Sequence, residues 1–192
     1  MSPFHKVTEF AHFLVSQVLH PGDRAVDATA GSGMDSVFLA GQVGSKGKLY
    51  TFDVQEEALT LTAGKLKDHD IDRQVSLIQD GHEKLSEYVN EPVTAFMYNL
   101  GYLPAGGSRV TTRLDTTLRS IQQALVLLKQ GGIITVIMYP GHREGKVEKE
   151  GLLPIFKNLS SAEFVVVHYN YLNRSNNPPE LVVIQKVFTD IS

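Results

Sequence analysis

The sequence predicts an α/β, doubly wound fold: a seven-stranded, mostly parallel sheet with an antiparallel C-terminal strand and helices on both faces. Three observations predict it. Short apolar stretches alternate with amphipathic helical ones along the chain. One of them, Val26-Asp27-Ala28, runs into the glycine turn Thr29-Ala30-Gly31-Ser32-Gly33, which opens a helix at Met34-Asp35. The last two apolar stretches form a hairpin, which reverses one strand against the rest. At 192 residues the chain reads as a single domain, 1–192, long enough to bury a full core.

Taken in order, residues 3–19 read as a helix. Pro3 suits the first turn with Ser2 as a cap, and Phe4, Val7, Ala11, Leu14, Val15 and Val18 share one face. His5 and His12 lie on it without a metal-binding partner and read as surface histidines. His20-Pro21-Gly22-Asp23 breaks the helix. A strand is expected over Arg24–Ala28, then a helix from about Gly33 to Val43 with Val37, Phe38 and Gly41 inward. The second strand is expected over Lys48–Val54, and the helix Gln55–Lys67 carries Ala58, Leu59, Leu61 and Leu66. Gln74–Gln79 reads as the third strand and His82–Val89 as a helix after its exit loop. Pro92–Asn99 reads as the fourth strand, followed by a glycine-rich loop. Thr112 and Asp115 look like a capping box for a helix Thr112–Lys129 with Leu114, Leu118, Ile121, Leu125 and Leu128 inward, stopped by Gly131-Gly132. Ile133–Tyr139 is apolar on both faces, as a central parallel strand must be. A helix around Val147–Leu159 and two strands, Glu163–Leu172 and Leu181–Phe188, close the chain.

Composition narrows the chemistry. The absence of cysteine excludes disulfides, thiolate catalysis and cysteine-ligated zinc. The N-terminus lacks a secretion signal, and the longest apolar run, Ile133 to Tyr139, is far too short to span a membrane, so a cytoplasmic protein without a membrane partner is expected. Charge is unevenly spread. Residues 1–103 hold 8 Lys/Arg against 14 Asp/Glu, whereas residues 104–150 hold 7 against 4. A basic segment after an acidic half suits a polyanion, although solvated helix charges give the same count.

The glycine turn marks a cofactor site, and its charges choose the cofactor. A dinucleotide places a pyrophosphate at the helix N-terminus. Asp27 before the turn and Asp35 after it would repel one, and the third glycine of G-x-G-x-x-G is missing. S-adenosylmethionine has no phosphate; its ammonium and sulfonium are attracted to carboxylates. Asp53 ends the second strand, where a carboxylate takes ribose hydroxyls, and it also stands where a helix cap would. Asp80, leaving the third strand, suits either an adenine amino group or a cap. No metal is called for.

Three motifs carry a family resemblance: Asp27-Ala28-Thr29-Ala30-Gly31-Ser32-Gly33-Met34-Asp35-Ser36, Asn99-Leu100-Gly101-Tyr102-Leu103-Pro104 and Asn177-Pro178-Pro179. The whole chain resembles the Rossmann-like class I methyltransferases, and these motifs resemble the bacterial rRNA methylase family. The family usually has Asn, His, Thr and Gly where this chain has Ser32, Met34, Ser36 and Ala105. The resemblance implies an S-adenosylmethionine-dependent tRNA methyltransferase. It implies N-methylation of the aminomethyl group of wobble 5-aminomethyl-2-thiouridine, giving 5-methylaminomethyl-2-thiouridine, by a homodimer that binds the anticodon region.

The resemblance also implies the site residues. Cofactor contacts fall on Asp27, Thr29, Gly31, Ser32, Gly33, Asp35, Asp53, Val54, Asp80, Gly81, His82, Asn99, Leu100 and Gly101. Asn99-Leu100-Gly101-Tyr102 is similar to the Asn-Pro-Pro-Tyr signature of amino methyltransferases, in which the Asn oxygen and the next carbonyl accept from the amine and the aromatic ring stacks on the base. Asn99 and Tyr102 are therefore the catalytic candidates. The RNA contacts are Tyr102, Arg109, Arg113, His142, Arg143, Lys146, Arg174 and Asn177, with Lys149 beside them. An rRNA or small-molecule amine substrate, a silent nucleic-acid-binding protein and, more weakly, a nicotinamide oxidoreductase are the competing readings.

Overall fold

The computed structural model describes residues 6–101 and 111–187. Seven strands form one sheet: β1 (Arg24–Asp27), β2 (Lys48–Phe52), β3 (Val75–Ile78), β4 (Val93–Asn99), β5 (Leu128–Met138), β6 (Phe164–Tyr169) and β7 (Glu180–Lys186), in the order β3-β2-β1-β4-β5-β7-β6. The first five run parallel. β7 lies between β5 and β6 and is antiparallel to both. The expected architecture is therefore present, with the reversed strand inserted one place in from the edge.

Strand alternation builds two apolar layers. Along β4, Ala95 and Met97 face one side while Phe96 and Tyr98 face the other. The first side packs on α1 (Val7–Ser16), α2 (Met34–Val43) and α3 (Glu56–Asp68) through Ala11, Val15, Leu39, Val43 and Leu66. The second packs on α4 (Leu85–Tyr88), α5 (Leu114–Leu127) and α6 (Arg143–Lys157) through Leu85, Ile121, Leu152 and Phe156. Tyr98 is fully buried there, and its hydroxyl shares a 2.8 Å hydrogen bond with Ser120. The fold's far edge is tied by Glu180, which accepts from Lys149 Nζ at 2.6 Å and His168 Nε2 at 2.8 Å.

Several expected details change, each for a local reason. The first helix spans Val7–Ser16; Ser2, Pro3, Phe4 and His5 lie outside the described residues. In α2, Val37 and Phe38 pack against the core as expected, but the buried residues are Asp35, Ser36, Leu39, Ala40 and Val43 and Gly41 is exposed, because Asp35 and Ser36 are drawn inward toward the turn. In α3, Thr62 rather than Leu61 is buried. The segment after β3 is a 3-10 turn, His82–Lys84, leading into the single turn of α4. The capping box is absent: α5 starts at Leu114 with Arg113 at its cap and no side-chain cap bond, and the Thr112 hydroxyl donates instead to Glu148 at 2.9 Å. Gly131-Gly132 does not end a helix. β5 begins at Leu128, and its pairing with β4 shifts register between Val93 and Ala95, so the glycines sit within the strand at an irregularity. α6 starts at Arg143, four residues earlier than expected, because the His142 side chain caps it, accepting from Gly145 N at 3.1 Å.

Candidate active site

The turn after β1 is built by backbone hydrogen bonds to both neighbouring strands. Ala28 N donates to Met97 O and Ala30 N to Phe52 O, each at 2.9 Å. Gly33 then has φ +80°, and a Cβ there would lie 2.8 Å from Thr62 Oγ1. Both the conformation and the closeness of α3 require glycine. Gly31, at φ +50°, points its N–H at Asp53 Oδ2 at 3.0 Å. The other oxygen of Asp53 accepts from Gln55 N at 2.9 Å. Asp53 thus links the glycine turn to the end of β2 without capping α3, whose cap residue is Gln55.

Above this turn lies a cavity of about 810 Å³, at the carboxyl ends of the parallel strands. It spans the point between β1 and β4 where the strand order reverses, the ligand position of open α/β sheets. Its volume suits a nucleoside-sized molecule.

Negative charge crowds one wall. Asp27 is fully buried and accepts from Ser36 Oγ at 2.6 Å and Thr29 N at 3.1 Å. Burial, reinforced by the nearby Asp35 carboxylate, pushes its carboxyl up to about 7, against the pull of those two hydrogen bonds; Asp53 adds to the rise. Asp35 is also buried, with Oδ1 2.6 Å from His12 Nε2 and Oδ2 accepting from Asn99 Nδ2 at 3.3 Å. A site that carries this charge favours a cationic ligand. S-adenosylmethionine meets that requirement, and a pyrophosphate does not.

The other walls are equally ordered. Asn99 N donates to Thr29 Oγ1 at 2.8 Å, tying β4 to the turn. Burial, with the Asp35 charge, raises the pKa of Tyr139, and the neighbouring Asn99 side chain opposes the rise. His82 Nδ1 donates to Ala28 O at 3.0 Å; burial lowers its pKa, and its buried Nε2 has no partner among the described residues. Asp80 is held by Lys84 Nζ, by the Tyr88 hydroxyl at 2.8 Å and by Gly81 N, which keep its pKa low. Gly101 N donates to Thr112 Oγ1 at 3.0 Å and Thr112 N returns a bond to Gly101 O at 3.1 Å. The buried Glu148 fastens this crossing, accepting from Thr112 and from Thr117, each at 2.9 Å; burial raises its pKa.

Most sequence candidates meet at this cavity. Thr29, Gly31, Ser32, Asp35, Asp53 and Val54 line one half, and Asp80, Gly81 and His82 line the end of β3. Asn99, Leu100 and Gly101 line the end of β4, with Arg113, His142 and Asn177 at the rim. Asp27 and Gly33 lie beneath the wall rather than on it. Arg143 and Lys146 are exposed on the first turn of α6, outside the cavity, and Arg174 sits 3.9 Å over the Tyr171 ring. Lys149 is committed to Glu180 and is not an open cation of the rim. Tyr102 and Arg109 lie outside the described residues. Sequence reasoning missed Met34, Tyr139, Thr111 and Thr112 as lining residues, and it missed His12 as the partner of Asp35. Among the described residues no group of three His, Cys, Asp or Glu is arranged to hold a metal, and no helix is long and apolar enough to cross a membrane.

Solved structures share both fold and sequence with this chain. A "putative rRNA-methylase" from Clostridium thermocellum aligns with TM-score 0.92 at 40% identity, covering 95% of this chain and 98% of that one. A "putative methyltransferase" of Streptococcus mutans, solved in complex with SAH, aligns with TM-score 0.86 at 41% identity, covering 94% and 97%. With the acidic turn and the strand-end cavity, these define an S-adenosylmethionine-dependent methyltransferase. Residues 49–185 match the family described as "Putative rRNA methylase", and the chain belongs to that family. It is also 33% identical over 183 residues, 90% of this chain and 67% of the relative, to a chloroplastic protein of Arabidopsis thaliana named tRNA (mnm(5)s(2)U34)-methyltransferase.

Proposed function

We propose that this methyltransferase N-methylates the aminomethyl group of wobble 5-aminomethyl-2-thiouridine in tRNA, giving 5-methylaminomethyl-2-thiouridine. The observation that carries the reading is Asn99. Its amide nitrogen is held by Asp35 and its backbone by Thr29, on the wall of the cavity that also holds Asp53. The name of the Arabidopsis relative supports the same substrate.

When bound, S-adenosylmethionine supplies an electrophilic methyl group on a sulfonium. The chain's residues do the rest. Asp53 accepts from ribose hydroxyls with the lone pairs its two backbone partners leave over. Thr29, Gly31 and Ser32 hold the methionine end, with Asp27 and Asp35 supplying the negative field, and Val54, Asp80, Gly81 and His82 surround the adenine. Gly33 sets the turn beneath them. The Asn99 oxygen and the Leu100 carbonyl accept from the substrate amine and aim its lone pair, beside Gly101, while Tyr102 stacks on the base. Asn99 does not ionise, so it aligns the amine and takes no proton; alignment of this kind contributes several kcal/mol to lowering a barrier. Arg113, His142 and Asn177 at the rim, with Arg143, Lys146 and Arg174 beyond it, hold the RNA together with Arg109, and a second copy of the chain extends that surface in a homodimer.

Mass spectrometry of nucleosides from a strain lacking the gene tests the substrate. Accumulation of 5-aminomethyl-2-thiouridine with loss of its methylated form is expected. Unchanged tRNA, with a methyl group missing from rRNA instead, refutes the reading. A monomer mass in light scattering at micromolar concentration refutes the dimer.

A further inference from the structure

We propose that His12, reaching across from α1, is a positioning residue that fixes which end of the Asn99 amide faces the substrate, acting through Asp35. The proposal rests on the reading of Asn99 as the group that orients the amine. A carboxylate only accepts hydrogen bonds, so the 2.6 Å contact requires the His12 proton on Nε2, donating to Asp35 Oδ1. That leaves Oδ2 to accept from Asn99 Nδ2 at 3.3 Å. With the amide nitrogen so engaged, the carbonyl oxygen is the end left for an amine donor. No other described side chain takes Asp35 Oδ1. The imidazole is itself held in plane, stacked on Phe38 with centroids 4.0 Å apart and planes 6° apart. Among the described residues, the other ionisable groups whose charge acts with Asp35 are Asp27 from β1 and Tyr139, one residue past β5, and neither donates to it. Without His12 a buried carboxylate oxygen loses its donor, which favours rotation or protonation of Asp35 and frees the amide to turn over.

The experiment compares His12→Phe, which keeps an aromatic ring on Phe38 but no donor, with His12→Gln, whose amide nitrogen can replace Nε2. The first readout is the Asn99 side-chain amide signal in proton–nitrogen correlation spectra of the protein without substrate, assigned by its loss in Asn99→Ser. The second is turnover on tRNA. His12→Phe is expected to shift the amide signal, speed its exchange with solvent by about tenfold or more, and lower kcat by about tenfold to a hundredfold with the tRNA KM within about twofold. His12→Gln is expected to restore both. An unmoved amide signal and unchanged kcat in His12→Phe, or a His12→Gln variant as impaired as His12→Phe, overturns the proposal. Ring nitrogen shifts of the wild-type imidazole give a test that needs no variant to fold: a proton on Nδ1 with Nε2 bare overturns it. The amide readout needs no substrate, so the His12 proposal stands or falls separately from the choice of aminomethyl-uridine.

Discussion

Asp27→Asn is the sharpest test of the charge built into the glycine turn. The carboxyl rises from its ordinary value of 3.8 to about 7 because it is buried beside Asp35. At about 1.4 kcal/mol per pH unit, that rise corresponds to at most about 4 kcal/mol. The sign follows from proton counts. Between the two values the folded protein holds a proton on Asp27 that the unfolded chain has released, so this group's contribution makes stability fall as pH rises through the window, levelling off above about 7. Asparagine removes the titration and keeps the shape: its oxygen can accept from Thr29 N, and Ser36 Oγ can turn toward Thr51 Oγ1, 3.1 Å away. The variant should therefore gain on the wild type by about 2–3 kcal/mol between about pH 5 and about pH 8, measured by urea unfolding without cofactor. A stability difference that stays constant between those two conditions refutes the argument.

The same carboxyl predicts that S-adenosylmethionine affinity rises with pH from about 6 to about 8, because a cation favours ionised Asp27, and that Asp27→Asn flattens the rise; calorimetry at several pH values would expose a flat wild-type profile and so count against it. Asp53→Ala should weaken cofactor binding by roughly one to two decades, through loss of a charge-assisted contact of about 1.5–3 kcal/mol; an unchanged dissociation constant removes the role. Asn99→Ala should bind cofactor and RNA nearly normally and turn over at least about a hundredfold more slowly; full turnover sinks the alignment argument. Arg143→Glu/Lys146→Glu should bind cofactor normally and tRNA poorly, with the slope of log affinity against log salt reduced by about two; the same defect as Asn99→Ala would deny a division of labour.

Local pattern made much of the framework readable. The glycine turn, Asp53 at the end of β2 and Asn99 at the end of β4 each follow from a strand meeting a turn, and all three line one cavity. What stayed hidden depends on partners far apart in the chain. His12 looks like a surface residue because its contact, Asp35, is 23 positions away. Thr112 looks like a cap because Glu148, 36 positions on, is invisible to a local motif. Gly131-Gly132 punctuates a helix in sequence, yet neighbouring β4 draws both residues into β5. On α2, Val37 and Phe38 pack inward as their apolar character implies, while Gly41 is exposed because Asp35 and Ser36 turn inward to the site they serve.

The place of β7 has a consequence for the order in which the molecule assembles. It is made after the other six strands, yet it enters between β5 and β6, and among the described residues β6 pairs with no other strand. Until residues 180–186 have left the ribosome, β5 presents an open edge and β6 has no ladder to join. The sheet therefore closes late, by a long-range pairing that brings Ile133 against Gln185 and Phe164 against Lys186. During synthesis the β1 to β5 half would stand with its apolar edge uncovered, a state open to wrong pairing and to proteases. Released chains truncated just before Glu180 should be cut far more readily in β6 than chains that include Lys186; equal resistance would mean that β6 docks without its neighbour.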